Sequence, residues 1–284
     1  MFDFHIHIAR LPHARQLTQL LLDRNYDFIA IACEPWEWRE VSQLKKEFSS
    51  GLKPFKVAYG IHPMIATQVT DGMLAKLRTH LEEDKHAMVG EAGIDKRYPG
   101  YEDGTQDKVF LEQAKLALEF KRDLQIHCVG DYMRVLKLLV EAGFKASQEQ
   151  DASSQEAPSR EAPRPIFHRF GGDVNFVKKA LPYGALFSLH ADSFRKKSTA
   201  AAIPHIPQER VFFETDADET FWQGSTDKNV AAGNATTDPG TESGMTAMNT
   251  SGMTAKDEAG MTFIVAELES RLESVRAAYT KCRE

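Results

Sequence analysis

Eight short apolar runs alternate with stretches of helical spacing along most of the chain, and this alternation constrains the fold more than any other feature. The runs are Phe2 to Ile8, Phe28 to Cys33, Phe55 to Gly60, Met88 to Glu91, Leu124 to Cys128, Pro165 to His168, Ala185 to Leu189 and Val211 to Glu214. Between them, Phe110, Ala114, Ala117 and Leu118 fall on one helical face, as do Tyr132, Val135, Leu136 and Leu139, with Gly143 placed to stop the second helix. Eight strands with intervening helices predict an α/β protein, a (β/α)8 TIM barrel, whose functional residues belong at the C-terminal strand ends. A chain of 284 residues, 42% of them hydrophobic, can bury such a core, and it is read as a single barrel domain over 1–284.

Two stretches break the alternation. Residues 145–164, KASQEQDASSQEAPSREAPR, carry too little apolar surface to fold alone. Residues 223–262 are similar and repeat Gly-Met-Thr at Gly244, Gly252 and Gly260. Both are read as low-complexity loop insertions that a barrel tolerates because lengthening a surface loop adds little closure entropy. For the second, a lid or partner-binding loop over the mouth is the alternative.

Six residues in or beside these runs are of metal-ligating type: His5, His7, Glu91, His127, His168 and Asp216. His5 and His7 are two apart, so on a strand they share a face and form a natural pair of nitrogen ligands. A lone strand histidine is most often a satisfied core residue, but two on an inward face need a partner for their buried nitrogens. Glu91, with Gly90 and Gly93 nearby, offers two oxygens that can bridge two cations. His127 and His168 would hold the second ion, while Asp216 lies across the barrel seam from His5 and His7 and joins them on the first. This donor set predicts two divalent metal ions, with zinc, manganese, iron and magnesium all compatible. Asp216 is the candidate to take a proton from water. His62, after the third strand, is the candidate to bind a phosphate oxygen or assist a leaving group. The remaining His13, His80, His86, His190 and His205 read as surface or turn residues.

The net charge of −6 excludes a protein that coats nucleic acid with a broad basic surface, but not one acting on phosphate through bound cations. Lys96, Arg97, Arg169, Arg195, Lys196 and Lys197 all follow strands and would form a basic rim if they converge. Cys33, Cys128 and Cys282 are an odd set without zinc-type spacing, which predicts reduced thiols and a cytoplasmic setting. The chain opens directly in a strand pattern that contains Asp3 and His5, unlike a signal peptide, and no run is long enough for a membrane span.

Taken together, DFHIH at 3–7, GIHP at 60–63, GEAGID at 90–95, QDKVFLEQAKLA at 106–117, IHC at 126–128, FHRFGG at 167–172 and ETD at 214–216 resemble the TatD family of metal-dependent deoxyribonucleases, within the amidohydrolase superfamily. The resemblance runs from Asp3 to about Asp218. It implies a barrel, a two-cation site on the same six residues, and hydrolysis of phosphodiester bonds in DNA. Met64, Val129 and Asp218 stand where the family's usual His, Arg and Pro would be, and its Arg-Gly-Asn-Pro loop is missing after Asp218. These departures keep two other readings open: a two-metal hydrolase of a non-nucleic-acid ester, amide or lactone, and a catalytically weak barrel serving as a subunit of a larger assembly.

Overall fold

The computed structural model describes residues 1–48, 55–147, 162–221 and 255–283. Its strands are β1 (Phe2–Ile6), β2 (Asp27–Ala32), β3 (Lys56–Tyr59), β4 (Met88–Asp95), β5 (Leu124–Val129), β6 (Pro165–Phe167), β7 (Leu186–Leu189) and β8 (Val211–Phe213). The helices are α1 (Ala14–Asp23), α2 (Pro35–Phe48), α3 (Asp71–Glu83), α4 (Thr105–Phe120), α5 (Tyr132–Ala142), α6 (Val174–Ala180), α7 (Lys197–Ala202) and α8 (Ala255–Arg283). The strands pair in chain order, all in parallel. The seam closes just past β8, where Ile6 bridges Ala217, the His7 amide donates to the Ala217 carbonyl at 2.9 Å, and the Asp216 amide donates to the His5 carbonyl at 3.0 Å. The expected (β/α)8 barrel is the fold observed.

Alternation along the strands sorts the apolar side chains into two layers. Phe4, Ile29, Ile31, Ala58, Ile166 and Leu186 fill the barrel interior, while residues such as Val57, Val89, Ile126 and Phe167 belong to the larger cluster that takes in the helices. In β1 the pairing register shifts between Asp3 and Ile6, an irregularity of the kind that re-aims a strand. Phe4 therefore belongs to the interior cluster while His5 and His7 face the mouth.

Two boundaries differ from the sequence reading by more than two residues. β4 does not end at Glu91 but continues to Asp95, because Ala92 to Asp95 go on pairing with Ile126 to Val129 of β5. Glu91 is thus a mid-strand residue held deep in the mouth. Its flanking glycines allow this: Gly90 adopts a φ of 126°, and any side chain at Gly93 would overlap the His127 carbonyl oxygen. The second boundary lies in the expected insertion at 223–262. Its last residues, 255–262, begin α8, and Met261 is buried there with Ile264, Val265, Leu268, Leu272 and Val275. That spacing is one helical stripe, which packs against α1 and β8. Residues 223–254, and 148–161 of the first expected insertion, lie outside the described residues.

One buried side chain staples the seam. Asp3 accepts hydrogen bonds from the Thr215 amide (3.0 Å), the Thr215 hydroxyl (2.6 Å), the His5 amide (3.3 Å) and the Tyr26 hydroxyl (3.3 Å). It ties β1 to the segment after β8 and to the turn before β2. Replacing it leaves four buried donors without their acceptor, so Asp3→Ala is expected to lower stability by about 3 kcal/mol, read from the shift in the urea unfolding midpoint.

Candidate metal centre

At the C-terminal mouth the Glu91 carboxylate divides the candidate ligands into two nests. Its Oε2 lies 3.4 Å from His5 Nε2 and 3.5 Å from His7 Nε2, and Asp216 Oδ1 lies 3.6 Å from each of the same nitrogens. Its Oε1 lies 2.6 Å from His127 Nδ1 and 2.7 Å from His168 Nε2, which are 3.2 Å apart. His62 Nε2 approaches the second nest, 3.6 Å from Glu91 Oε1 and 3.4 Å from His127 Nδ1. All seven residues singled out from the sequence meet here.

The first nest is spaced for a cation rather than for hydrogen bonds. Its nitrogen–oxygen separations exceed the usual bonding range of about 2.7–3.2 Å. They match the separations of about 3.3–3.6 Å between neighbouring ligands in a tetrahedral shell with bonds of about 2.0–2.2 Å. His5 is fully buried and its Nε2 has no hydrogen-bond partner, an arrangement that is costly unless something else satisfies the nitrogen. Mixed imidazole and carboxylate donors suit divalent metals such as zinc, manganese or iron. The residues present therefore fit a divalent cation.

Titration behaviour follows from crowding charges in a dry site. Burial alone would keep Glu91 protonated, but His168, His62 and His127 outweigh it and hold the carboxyl well below the ordinary range. Burial opposes the charge on His168, yet Glu91 and Glu214 drive its pKa well above the ordinary value. The largely covered Asp216 carboxyl is likewise lowered, by the nearby His7 and by the charges of His168 and His5. His62 behaves differently. Burial pushes it down to about 3, against the pull of Glu91, so its ring is neutral. Its Nδ1 accepts from the Met64 amide at 3.0 Å, which puts the ring proton on Nε2, the atom that faces the nest.

Beside each histidine stands a group placed to orient its ring, although His168 Nδ1 itself has no hydrogen-bond partner. Gln125 Oε1 lies 3.4 Å from His5 Nδ1, Cys33 Sγ 4.0 Å from His7 Nδ1, Asp95 Oδ2 2.9 Å from His127 Nε2, and Glu214 Oε1 3.4 Å from His168 Nδ1. Such partners set the tautomer and aim of a ligating imidazole. None was selected from the sequence, although strand alternation carries a signal: Gln125 is two before His127, Asp95 four after Glu91, and Glu214 two before Asp216. Helix α4 supports the same region. Gln113 Oε1 accepts from the Ile61 amide (2.7 Å) next to His62, and Gln106 Oε1 accepts from the Asp95 amide (2.7 Å).

The basic rim converges only in part. Arg169 donates to Asp216 Oδ2 at 2.8 Å and also pairs with Asp192. Arg97 folds onto Asp95 (2.5 Å) and Arg195 onto Asp192 (2.7 Å), so these arginines are tied to carboxylates of the mouth. Asp218 accepts from the Thr220 amide (2.8 Å) and hydroxyl (2.6 Å), which turns its charge into its own loop. Of the minor histidines, His190 caps the short turn 191–194 and His80 packs beside Tyr59 and Trp38, away from the mouth.

A parallel eight-stranded barrel with histidines and carboxylates gathered at its C-terminal mouth defines the class: an α/β barrel whose mouth carries side-chain clusters compatible with metal binding. Within that class the chain belongs to the TatD-related DNase family, whose family model matches residues 2–225. It is 27% identical over 161 residues to the 3'-5' ssDNA/RNA exonuclease TatD of Cronobacter sakazakii, an alignment covering 56% of this chain and 55% of that protein. It is 30% identical over 167 residues to an uncharacterized metal-dependent hydrolase TatD of Mycobacterium tuberculosis, covering 56% of this chain and 57% of that protein. The human 3'-5' RNA nuclease TATDN2 is 28% identical over 171 residues, covering 56% of this chain and 20% of that protein. The match thus spans little more than half the length of the bacterial relatives. Among solved structures, the TatD homologue YjjV of Escherichia coli K12 superposes with a TM-score of 0.61 at 20% identity, covering 76% of this chain and 79% of that one. A TatD family hydrolase of Entamoeba histolytica superposes with a TM-score of 0.60 at 16% identity, covering 76% of this chain and 73% of that one. Both share the fold. Among the described residues, no helix is long and apolar enough to cross a membrane.

The outer partners make a prediction that does not depend on turnover. Zinc or manganese at about a hundred times its dissociation constant should stabilise the metal-free protein by about 2.7 kcal/mol, seen as a rise in Tm. Asp95→Ala should weaken metal affinity by about 10- to 100-fold in chelator competition, because His127 loses the carboxylate that fixes its ring.

Proposed function

We propose that this chain is a metal-dependent hydrolase that cleaves phosphodiester bonds of DNA. In this reading His5, His7, Glu91 and Asp216 hold one divalent cation, and Glu91, His127 and His168 hold a second. Bound there, zinc, manganese, magnesium or iron would lower the pKa of water toward about 7 and offset negative charge on the phosphate. Asp216 would take the water's proton, with Arg169 fixing the direction of its carboxylate through Oδ2. His62 presents its Nε2 proton to a phosphate oxygen. With a pKa pushed down to about 3 it acts as a neutral donor rather than as the acid for the leaving group.

The observation that carries the reading is the division of the Glu91 carboxylate between two histidine pairs. Membership of the TatD-related DNase family supports the phosphodiester as substrate. The bacterial relatives named as ssDNA/RNA exonucleases make single-stranded DNA the first substrate to test.

End-labelled single- and double-stranded DNA incubated with manganese or magnesium tests this directly. The wild type should degrade at least one of them, and Glu91→Ala, which strips a donor from both nests, should reduce the rate by more than about 100-fold. Absence of cleavage by a wild type that still binds metal would refute the DNA assignment. His62→Ala should lower kcat/KM by about ten- to hundredfold, the worth of a hydrogen bond to a charged oxygen. His62→Gln, which keeps an N–H donor, should recover much of that loss.

A further inference from the structure

Beside the candidate metal centre lies an open cavity of about 530 Å³, bordered by the segments that follow β4, β5, β6 and β7. That volume is in the range of small-ligand sites. Arg169 joins the two: it lines the cavity, and its Nη1 holds Asp216.

The charges around the cavity divide into those with internal partners and those without. Asp131 accepts from the Arg134 amide (3.0 Å) and caps α5, and Asp173 accepts from the Phe176 amide (2.9 Å) and caps α6. A helix N-terminus favours a carboxylate in that position. Asp192 pairs with Arg169 and Arg195. The lining carries three cationic and three anionic side chains, and the carboxylates are directed into backbone amides or onto arginines whereas the lysines are not. Lys96 and Lys196 both line the cavity, both are exposed, and neither forms an ion pair among the described residues. The ammonium of Lys196 reaches only the Gly171 carbonyl, at 3.4 Å. Lys96 leaves the end of β4 next to Val129, whose carbonyl accepts from the Lys96 amide at 2.9 Å. Two lysines from separate segments thus line one cavity.

We infer that this cavity receives a phosphate of the nucleic-acid strand adjacent to the one being cleaved, bound by Lys96 and Lys196. The inference rests on the phosphodiesterase reading, since it assigns the neighbouring phosphate of the same substrate. Lysine suits the role: its ammonium binds phosphate as a mobile point charge, whereas the nearby arginines are already committed to carboxylates. Met133 and Tyr132 also line the cavity and give it an apolar portion against which a sugar or base can lie.

The test is binding of a fluorescein-labelled oligothymidylate with phosphorothioate linkages, measured by anisotropy over a range of salt, to the full-length protein loaded with manganese. For single strands each lost phosphate contact flattens the plot of log affinity against log salt by about 0.7, so Lys96→Met/Lys196→Met, which removes both lysines from the one phosphate, should flatten it by about 0.7. Lys197→Met, a neighbouring charge outside the cavity, should leave it nearly unchanged. Hydrolysis of bis(p-nitrophenyl) phosphate, which has no second phosphate, should proceed in the double variant as in the wild type. An unchanged slope in the double variant would overturn the cavity assignment even with the small ester still cleaved. An equal loss in Lys197→Met would also overturn it, by showing a diffuse surface effect. A wild type that cleaves neither ester nor DNA would overturn the phosphodiesterase reading, and this inference with it.

Discussion

The position of one carboxylate governs the rest of the mouth. Glu91 lies mid-strand, deep in the barrel, and each of its oxygens faces a different pair of histidines. A side chain as short as glutamate reaches both pairs only if β4 and β5 run close together, and the glycines flanking it make that approach possible. A bulkier residue at Gly93 would push against the His127 backbone, moving a proposed ligand as well as a strand. The glycines and the ligands are therefore one structural unit, in which backbone packing sets the distances on which the chemistry depends.

The first nest also depends on closure of the barrel. His5 and His7 come from the first strand and Asp216 from beyond the last, so they are neighbours only after β8 has met β1. The Asp3 carboxylate, the Thr215 hydroxyl and the paired amides around Ala217 and His5 secure that meeting within one turn of chain from the ligands. A cation held by this nest would bind the closed barrel and not the open chain, so metal binding and closure support each other. The buried His5 nitrogen, which has no hydrogen-bond partner, is the local cost of holding this arrangement ready.

Much of this was legible in the sequence, for definite physical reasons. Eight strands were visible because each is an apolar run of strand length, and the candidate ligands because a histidine or carboxylate interrupts such a run. Three kinds of feature were not. The extent of β4 was hidden because Gly90 and Gly93 read as terminators, whereas they are what lets the strand continue beside β5. The groups behind the histidines were hidden because Gln125, Asp95 and Glu214 look like ordinary polar residues until alternation is traced from each ligand. The start of α8 was hidden because its first turns share the composition of the repeats before them. Its apolar stripe from Met261 to Val275 becomes evident only when the spacing is followed past 262. In each case the missing information was a relation between residues rather than the identity of any one.

The distribution of charge explains how an acidic protein can engage a polyanion. Arginines that read as a basic rim in the sequence are neutralised within the mouth: Arg97 by Asp95, and Arg169 and Arg195 by Asp192, with Arg169 also holding Asp216. They orient the carboxylates of the site and contribute little long-range field. On the proposed reading, attraction for phosphate would come from cations bound in the two nests and from the few lysines nearby that have no ion pair among the described residues. Both act over short distances, since exposed charges are screened beyond about 8–10 Å at ordinary ionic strength. On that reading a phosphate substrate would be gathered at the centre itself rather than steered along a basic surface.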